Sequence, residues 1–244
     1  MSSTRLLVCF FLTRVIILKY ISAIDASSVI ERIDVPSVVR NGTGPIELSC
    51  VYKIDENENG LVVKWYHELD QIYQWIPPLP PQDTGIIANY TEYPTENLRQ
   101  PETRSIIYLK TITLEMSGEY MCVVETFRRE HTIAARMIVY VPEGSAKIYV
   151  TRYNDTHINV ECKALGARPK PTLMIYIEGI KVDDKFDDSL KIINEYSDDN
   201  LSVTRNAIIK NIMNPVLIEC EISISETNYK RREKMVYYPD NTKN

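Results

Sequence analysis

Short apolar runs recur along the whole chain, separated by polar and turn-forming stretches. The runs are rich in Val, Ile and Tyr, which suit a pleated, half-buried surface, and no long stretch keeps a helical period. In the first half the pattern predicts strands near Ile30–Val39, Ile46–Tyr52, Leu61–His67, Gln71–Ile76, Ser105–Leu109, Glu119–Glu125 and Thr132–Val141, with a further short strand near Ile86–Tyr90. Asn59-Gly60 reads as the tip of a loop. From 77 to 104, Pro77, Pro78, Pro80, Pro81, Pro94 and Pro101 forbid regular pairing over much of the segment. The run Pro77-Pro78-Leu79-Pro80-Pro81 reads as a stiff turn rather than a polyproline ligand.

Four of the five cysteines fall into two frames. In the first, Cys50 sits in an apolar run, Trp65 follows in Val63-Lys64-Trp65-Tyr66, and Tyr120-Met121-Cys122 closes the set. That order marks an immunoglobulin-like β-sandwich, in which an inter-sheet disulfide packs on a tryptophan and a tyrosine corner closes the sheet. The second frame, Cys162 and Cys220, lacks both landmarks: Ile175 stands at the tryptophan place and Ile218 at the tyrosine place. The expected pairs are therefore Cys50–Cys122 and Cys162–Cys220. The disulfide reading stands far above a zinc site built from the four cysteines, because such sites usually bring two cysteines within a few residues of each other. The wider first spacing leaves room for the extra C′ and C″ strands of a variable-type domain, and the narrower second fits a constant-like one. The expected architecture is all-β: two tandem immunoglobulin-like sandwiches, variable-type and then C2-like.

The ends give the boundaries. Arg5, the apolar residues Leu6–Leu12 and the small Ala23 predict a signal peptide over 1–23. Its removal takes away Cys9 and leaves an even number of cysteines. The first domain is then 24–142 and the second 143–244, with the boundary at Val141-Pro142-Glu143-Gly144-Ser145. The second domain ends in a polar tail from Tyr238 to Asn244, which reads as neither a membrane span nor a lipid-anchor signal. These features predict a secreted, extracellular protein that a partner could retain at a cell surface.

The formal net charge is −5, and the leader holds only basic charges, so the mature chain is more acidic still. An acidic chain without a basic stripe argues against nucleic acid and anionic membranes. The three histidines, His67, His131 and His157, lie in no metal-binding or nucleophile motif, and phosphate and dinucleotide fingerprints are missing. A binding protein without cofactor or metal is expected, and not an enzyme. Sequons at Asn41, Asn89, Asn154 and Asn200 predict glycosylation. Lys230-Arg231-Arg232 with Lys234 reads as a solvated loop of the last hairpin that offers at most a weak heparan sulfate contact.

Alternation assigns a partner-binding face to strands G, F, C and C′ of the first domain. With Trp65 and Cys122 inward, Lys64, Tyr66, Met121, Val123 and Glu125 point out. On C′ either Tyr73 and Trp75 or Ile72, Gln74 and Ile76 join them, and the expected set includes Tyr73 and Trp75. Trp, Tyr and Met are enriched at interfaces.

The first domain resembles the Beaten path family, two-immunoglobulin-domain proteins of insects. The resemblance rests on Val63-Lys64-Trp65-Tyr66, on Ile72-Tyr73-Gln74-Trp75-Ile76-Pro77, and on Leu114-Glu115-Met116-Ser117-Gly118-Glu119-Tyr120-Met121-Cys122. In that last stretch Met116 replaces the usual Asp, a departure the family shares. It implies recognition of a Sidestep-type cell-surface immunoglobulin receptor in axon guidance, with the variable-type domain making contact. The alternative reading is a soluble immune or matrix factor that binds glycan or microbial ligands.

Overall fold

The computed structural model of the chain describes residues 30–55, 57–92, 104–183, 191–197, 201–210 and 212–239. The expected leader with Cys9, the sequon at Asn200 and the tail beyond Pro239 lie outside the described residues.

The first half contains β1 (Ile30–Asp34), β2 (Val38–Arg40), β3 (Ile46–Tyr52), β4 (Val62–His67), β5 (Asp70–Trp75), β6 (Gln82–Asp83), β7 (Ile107–Leu109), β8 (Gly118–Glu125) and β9 (Glu130–Tyr140). They form a three-stranded sheet in the order β1-β3-β7 and a six-stranded sheet in the order β2-β9-β8-β4-β5-β6. The second half contains β10 (Ser145–Arg152), β11 (His157–Leu165), β12 (Thr172–Ile177), β13 (Ile180–Lys181), β14 (Lys191–Ser197), β15 (Ser202–Lys210), β16 (Val216–Ser223) and β17 (Lys230–Tyr237). These form two four-stranded sheets, β10-β11-β15-β14 and β13-β12-β16-β17.

Each half buries one hydrophobic cluster between its sheets. The first unites Leu48, Cys50, Trp65, Ile107, Tyr120 and Cys122, and the second unites Val160, Cys162, Ile175, Ala207, Ile218 and Cys220. Disulfides Cys50–Cys122 and Cys162–Cys220 join the facing sheets, with Cα–Cα distances of 6.4 and 5.9 Å. The register explains the landmarks. Trp65 lies opposite Cys122 on the neighbouring strand, as Ile175 lies opposite Cys220. Trp65 buries its whole ring, and its indole N–H donates to the Ser105 carbonyl at 2.9 Å. The Ser105 hydroxyl donates in turn to the Cys50 carbonyl at 2.6 Å, so the polar end of the ring is satisfied without water.

Three elements differ from the sequence expectation. The strand expected over Ile30–Val39 is broken: β1 pairs antiparallel with β3, while β2 pairs parallel with β9 on the other sheet. Pro36 stands between them with no N–H to offer a ladder, and the chain changes sheets there. The strand expected at Ile86–Tyr90 is instead a 3-10 turn over Gly85–Ile87 followed by further turns. Gly85 takes a φ of +60°, open to glycine at little cost, and Ile87 drops wholly into the core. The run Lys230-Arg231-Arg232 is not a loop but the first part of β17.

Candidate binding face

The outer side of the six-stranded sheet is built by register. Tyr66 of β4 lies between Met121 of β8 and Gln71 of β5, and Met121 faces Ala134 of β9. The next row runs Gln74, Lys64, Val123, Thr132 across the same four strands. A third row joins Val62, Glu125 and Glu130. Tyr66, Met121, Lys64 and Glu125 are half-buried, while Thr132 and Ala134 on β9 are exposed.

One ion pair crosses this face. The Lys64 ammonium donates to Glu125 Oε1 at 2.6 Å, reaching from its own row to the next. The hydrogen bond with Glu125 holds the Lys64 ammonium above its ordinary value, against the opposing effect of burial. Val123 was expected on the surface but is only 5% exposed. It shares its row with Lys64 and Thr132, so its position is outward although little of it is exposed.

Strand β5 corrects the expected site in a second way. Tyr73 and Trp75 do not join the face, because both are buried in the core cluster. The Tyr73 hydroxyl donates to the Arg104 carbonyl, and the Trp75 indole donates to the Leu79 carbonyl at 3.0 Å. The other set fails as well, since Ile72 is 1% exposed. The cause is a bulge: Trp65 pairs with Tyr73 and Tyr66 with Gln71, so Ile72 is the extra residue. Ile72 and Tyr73 both turn inward in succession, which simple alternation does not allow. The surface of β5 is left with Gln71 and Gln74, and Ile76 follows at 38% exposure. The face is thus a small apolar row of Tyr66, Met121 and Ala134, flanked by amides and the Lys64–Glu125 pair.

Sequence reasoning missed the contributions of Gln71, Thr132 and Ala134. Thr132 and Ala134 were legible from the alternation of β9, whereas Gln71 required the bulge. The described sequons lie in connections, off the four strands of the face. Asn41 follows β2, Asn89 follows the Gly85–Ile87 turn, Asn154 lies between β10 and β11, and each is exposed. The Asn154 side-chain oxygen accepts from the Thr156 and His157 backbone N–H groups at 2.9 and 2.8 Å, an Asx turn that closes the β10–β11 connection.

No family model and no curated protein matches the chain. Solved structures do. Bovine butyrophilin superposes with a TM-score of 0.61 at 14% identity, over 84% of this chain and 96% of that one. Mouse nectin-like molecule 4, a full Ig1–Ig3 ectodomain, gives 0.53 at 14% identity, over 83% and 66%. The amphioxus IgVJ-C2 molecule gives 0.51 at 13% identity, over 82% and 98%. The fold is an immunoglobulin-like β-sandwich.

The corresponding outer face of the second sandwich has a different chemistry. Met174 and Tyr176 of β12, Glu219 and Glu221 of β16, and Arg232 and Lys234 of β17 share it by register. Arg232 binds Glu221 at 2.7 Å and lies 4.5 Å from the centre of the Tyr176 ring. Lys234 binds Glu219 at 2.8 Å, and Arg231 pairs with Glu143 at 3.3 Å and with Glu233. Three cations of the basic run are therefore committed to carboxylates of the same chain. Among the described residues no helix is long and apolar enough to cross a bilayer.

Proposed function

We propose that the chain is a secreted recognition protein that binds a cell-surface immunoglobulin receptor through the outer face of its first sandwich. On this reading residues 1–23 are a signal peptide, 24–142 a variable-type domain and 143–244 a C2-like domain. The observation that carries it is the row of Tyr66, Met121 and Ala134 on a broad sheet face whose strands hold no sequon. A half-buried tyrosine and methionine beside an exposed alanine suit a flat partner surface, with Gln71, Gln74 and the Lys64–Glu125 pair forming the polar rim. The likeness of the first domain to the Beaten path family names the receptor class as Sidestep-type and the setting as cell–cell recognition in axon guidance. Weak affinity would suffice, since clustering on cells multiplies it. The neutralised cations of β17 weigh against the heparan sulfate contact and against the glycan-binding alternative.

The test is a cell-surface binding screen of the secreted protein, displayed as multimers, against insect immunoglobulin receptors. Saturable binding to a Sidestep-type receptor, lost in Tyr66→Asp with secretion unchanged, is the expected result. Binding that survives Tyr66→Asp moves the contact to another surface. Binding to glycans or microbial surfaces in place of any receptor overturns the reading.

A further inference from the structure

We infer that the two sandwiches are locked into one rigid unit by a latch built around the Glu143 carboxylate. The connection from β9 to β10 is only Val141-Pro142-Glu143-Gly144, and three of these residues are tied to the second half. The Val141 N–H donates to the Arg168 carbonyl at 2.7 Å, and the Arg168 N–H returns to the Val141 carbonyl at 2.9 Å. The Gly144 N–H donates to the Leu165 carbonyl at 2.9 Å. Pro142 fixes its own φ between these anchors. The strand leaving the first sandwich is thus hydrogen-bonded to the β11–β12 loop of the second before its own chain enters it.

Glu143 fixes the tyrosine that makes the lock. The Glu143 side chain is 0% exposed. A carboxylate removed from water is tolerated only when charge and hydrogen bonds replace the lost solvation. Tyr229 does this from the β16–β17 turn, its hydroxyl lying 3.0 and 2.9 Å from the two carboxylate oxygens. Arg231 Nη1 adds a hydrogen bond at 3.3 Å. The Tyr229 ring also rests on Tyr140, the last residue of β9, with centroids 5.6 Å apart and planes at 41°. One tyrosine of the second sandwich therefore grips both the connection and the final strand of the first. Burial and the Glu143 hydrogen bond push the Tyr229 hydroxyl up to about 12, so it stays a donor at any physiological pH. The outlying Arg136–Glu226 pair, at 3.6 Å and well exposed on both sides, adds little.

Domains joined in one chain move relative to each other by default unless their junction resists it. Here a hinge motion about Pro142 has to break the Val141–Arg168 pair and separate Tyr140 from Tyr229, whose ring Glu143 holds in place. The proposal concerns the joint alone and holds whatever the first sandwich binds. Its consequence is that the outer face of β4, β5, β8 and β9 points in one fixed direction from the second sandwich.

The experiment places spin labels at exposed Leu69 and exposed Ile180, one in each half, carried on unnatural side chains so that both disulfides stay intact. Pulsed dipolar spectroscopy then reads the distance distribution in the full secreted chain. The expected result is one narrow peak for the unmutated protein. It should broaden in Glu143→Ala and in Tyr229→Phe, with the β-sheet circular dichroism of both variants unchanged. Should Glu143→Ala fail to be secreted, Tyr229→Phe is read alone by the same criterion, since it keeps the ring and removes only the donor. A broad distribution in the unmutated chain overturns the proposal, as does a narrow one that persists in the variants.

Discussion

The Tyr120 hydroxyl donates to the backbone carbonyl of Met116 at 2.8 Å, and both residues are wholly buried. The bond ties the start of β8 to the 3-10 turn Leu114–Met116 that leads into it. Tyr120→Phe preserves the packing and leaves a buried carbonyl without its donor. The expected cost is about 1–2 kcal/mol. Urea unfolding should show it as a lower midpoint with an unchanged slope. An unshifted midpoint would mean that the corner does not hold the sheet.

The disulfides differ in what remains without them. Each closes a long loop and contributes about 4 kcal/mol on the chain-entropy account. Without Cys50–Cys122, the first sandwich still has the Trp65–Ser105 bond and the Tyr120 corner. The second has Ile175 and Ile218 at those places, which pack but form no side-chain hydrogen bond. We expect both Cys50→Ala and Cys162→Ala to cut secretion sharply, with Cys162→Ala the more severe. Pulse-chase recovery from the medium measures this. Normal secretion of either variant would show that its disulfide is dispensable.

The same comparison explains what was legible in the sequence. The Cys50, Trp65, Tyr120, Cys122 order is a local record of a packed unit, because all four residues are buried in one cluster. The second half could be read only through its cysteines, yet Ile175 and Ile218 do occupy the corresponding register. The path of the first strand was not legible, because Pro36 marks a break without saying which sheet receives Val38. The β5 face was not legible either. A bulge is set by how β4 and β5 pair, and the run Ile72-Tyr73-Gln74-Trp75 carries no mark of an extra residue. Nor does the row of Lys64 and Val123 reveal that Lys64 pairs with Glu125 of the next row.

The bulge makes adjacent positions on β5 respond oppositely. Tyr73→Asp puts a carboxylate in the core and removes a ring that is 0% exposed. Large truncations of this kind cost about 3–5 kcal/mol before the buried charge is counted. Gln74→Asp changes a half-buried side chain on the outer row and should stay within about 0.5 kcal/mol. Thermal melts of the two secreted variants separate the cases. Equal melting temperatures would refute the inward placement of Tyr73.

Acid should weaken the second sandwich through Glu219. Its side chain is 6% exposed, with Lys234 at 2.8 Å and Arg232 at 3.7 Å. The Lys234 hydrogen bond holds the carboxyl below its ordinary value of 4.5, outweighing the burial that opposes it. Glu221 stands beside it on the same strand and takes most of Arg232 at 2.7 Å, so Lys234 is the main partner. A carboxyl depressed on folding contributes fully above its unfolded value. That contribution fades as pH falls from about 4.5 toward the folded value. The melting temperature of the unmutated chain should therefore exceed that of Glu219→Gln at neutral pH, by an amount that shrinks with added salt because Lys234 is largely exposed. The gap should stay level down to about pH 5 and then close in acid. A gap that persists unchanged to pH 3 would show that Glu219 acts through packing and not through its charge.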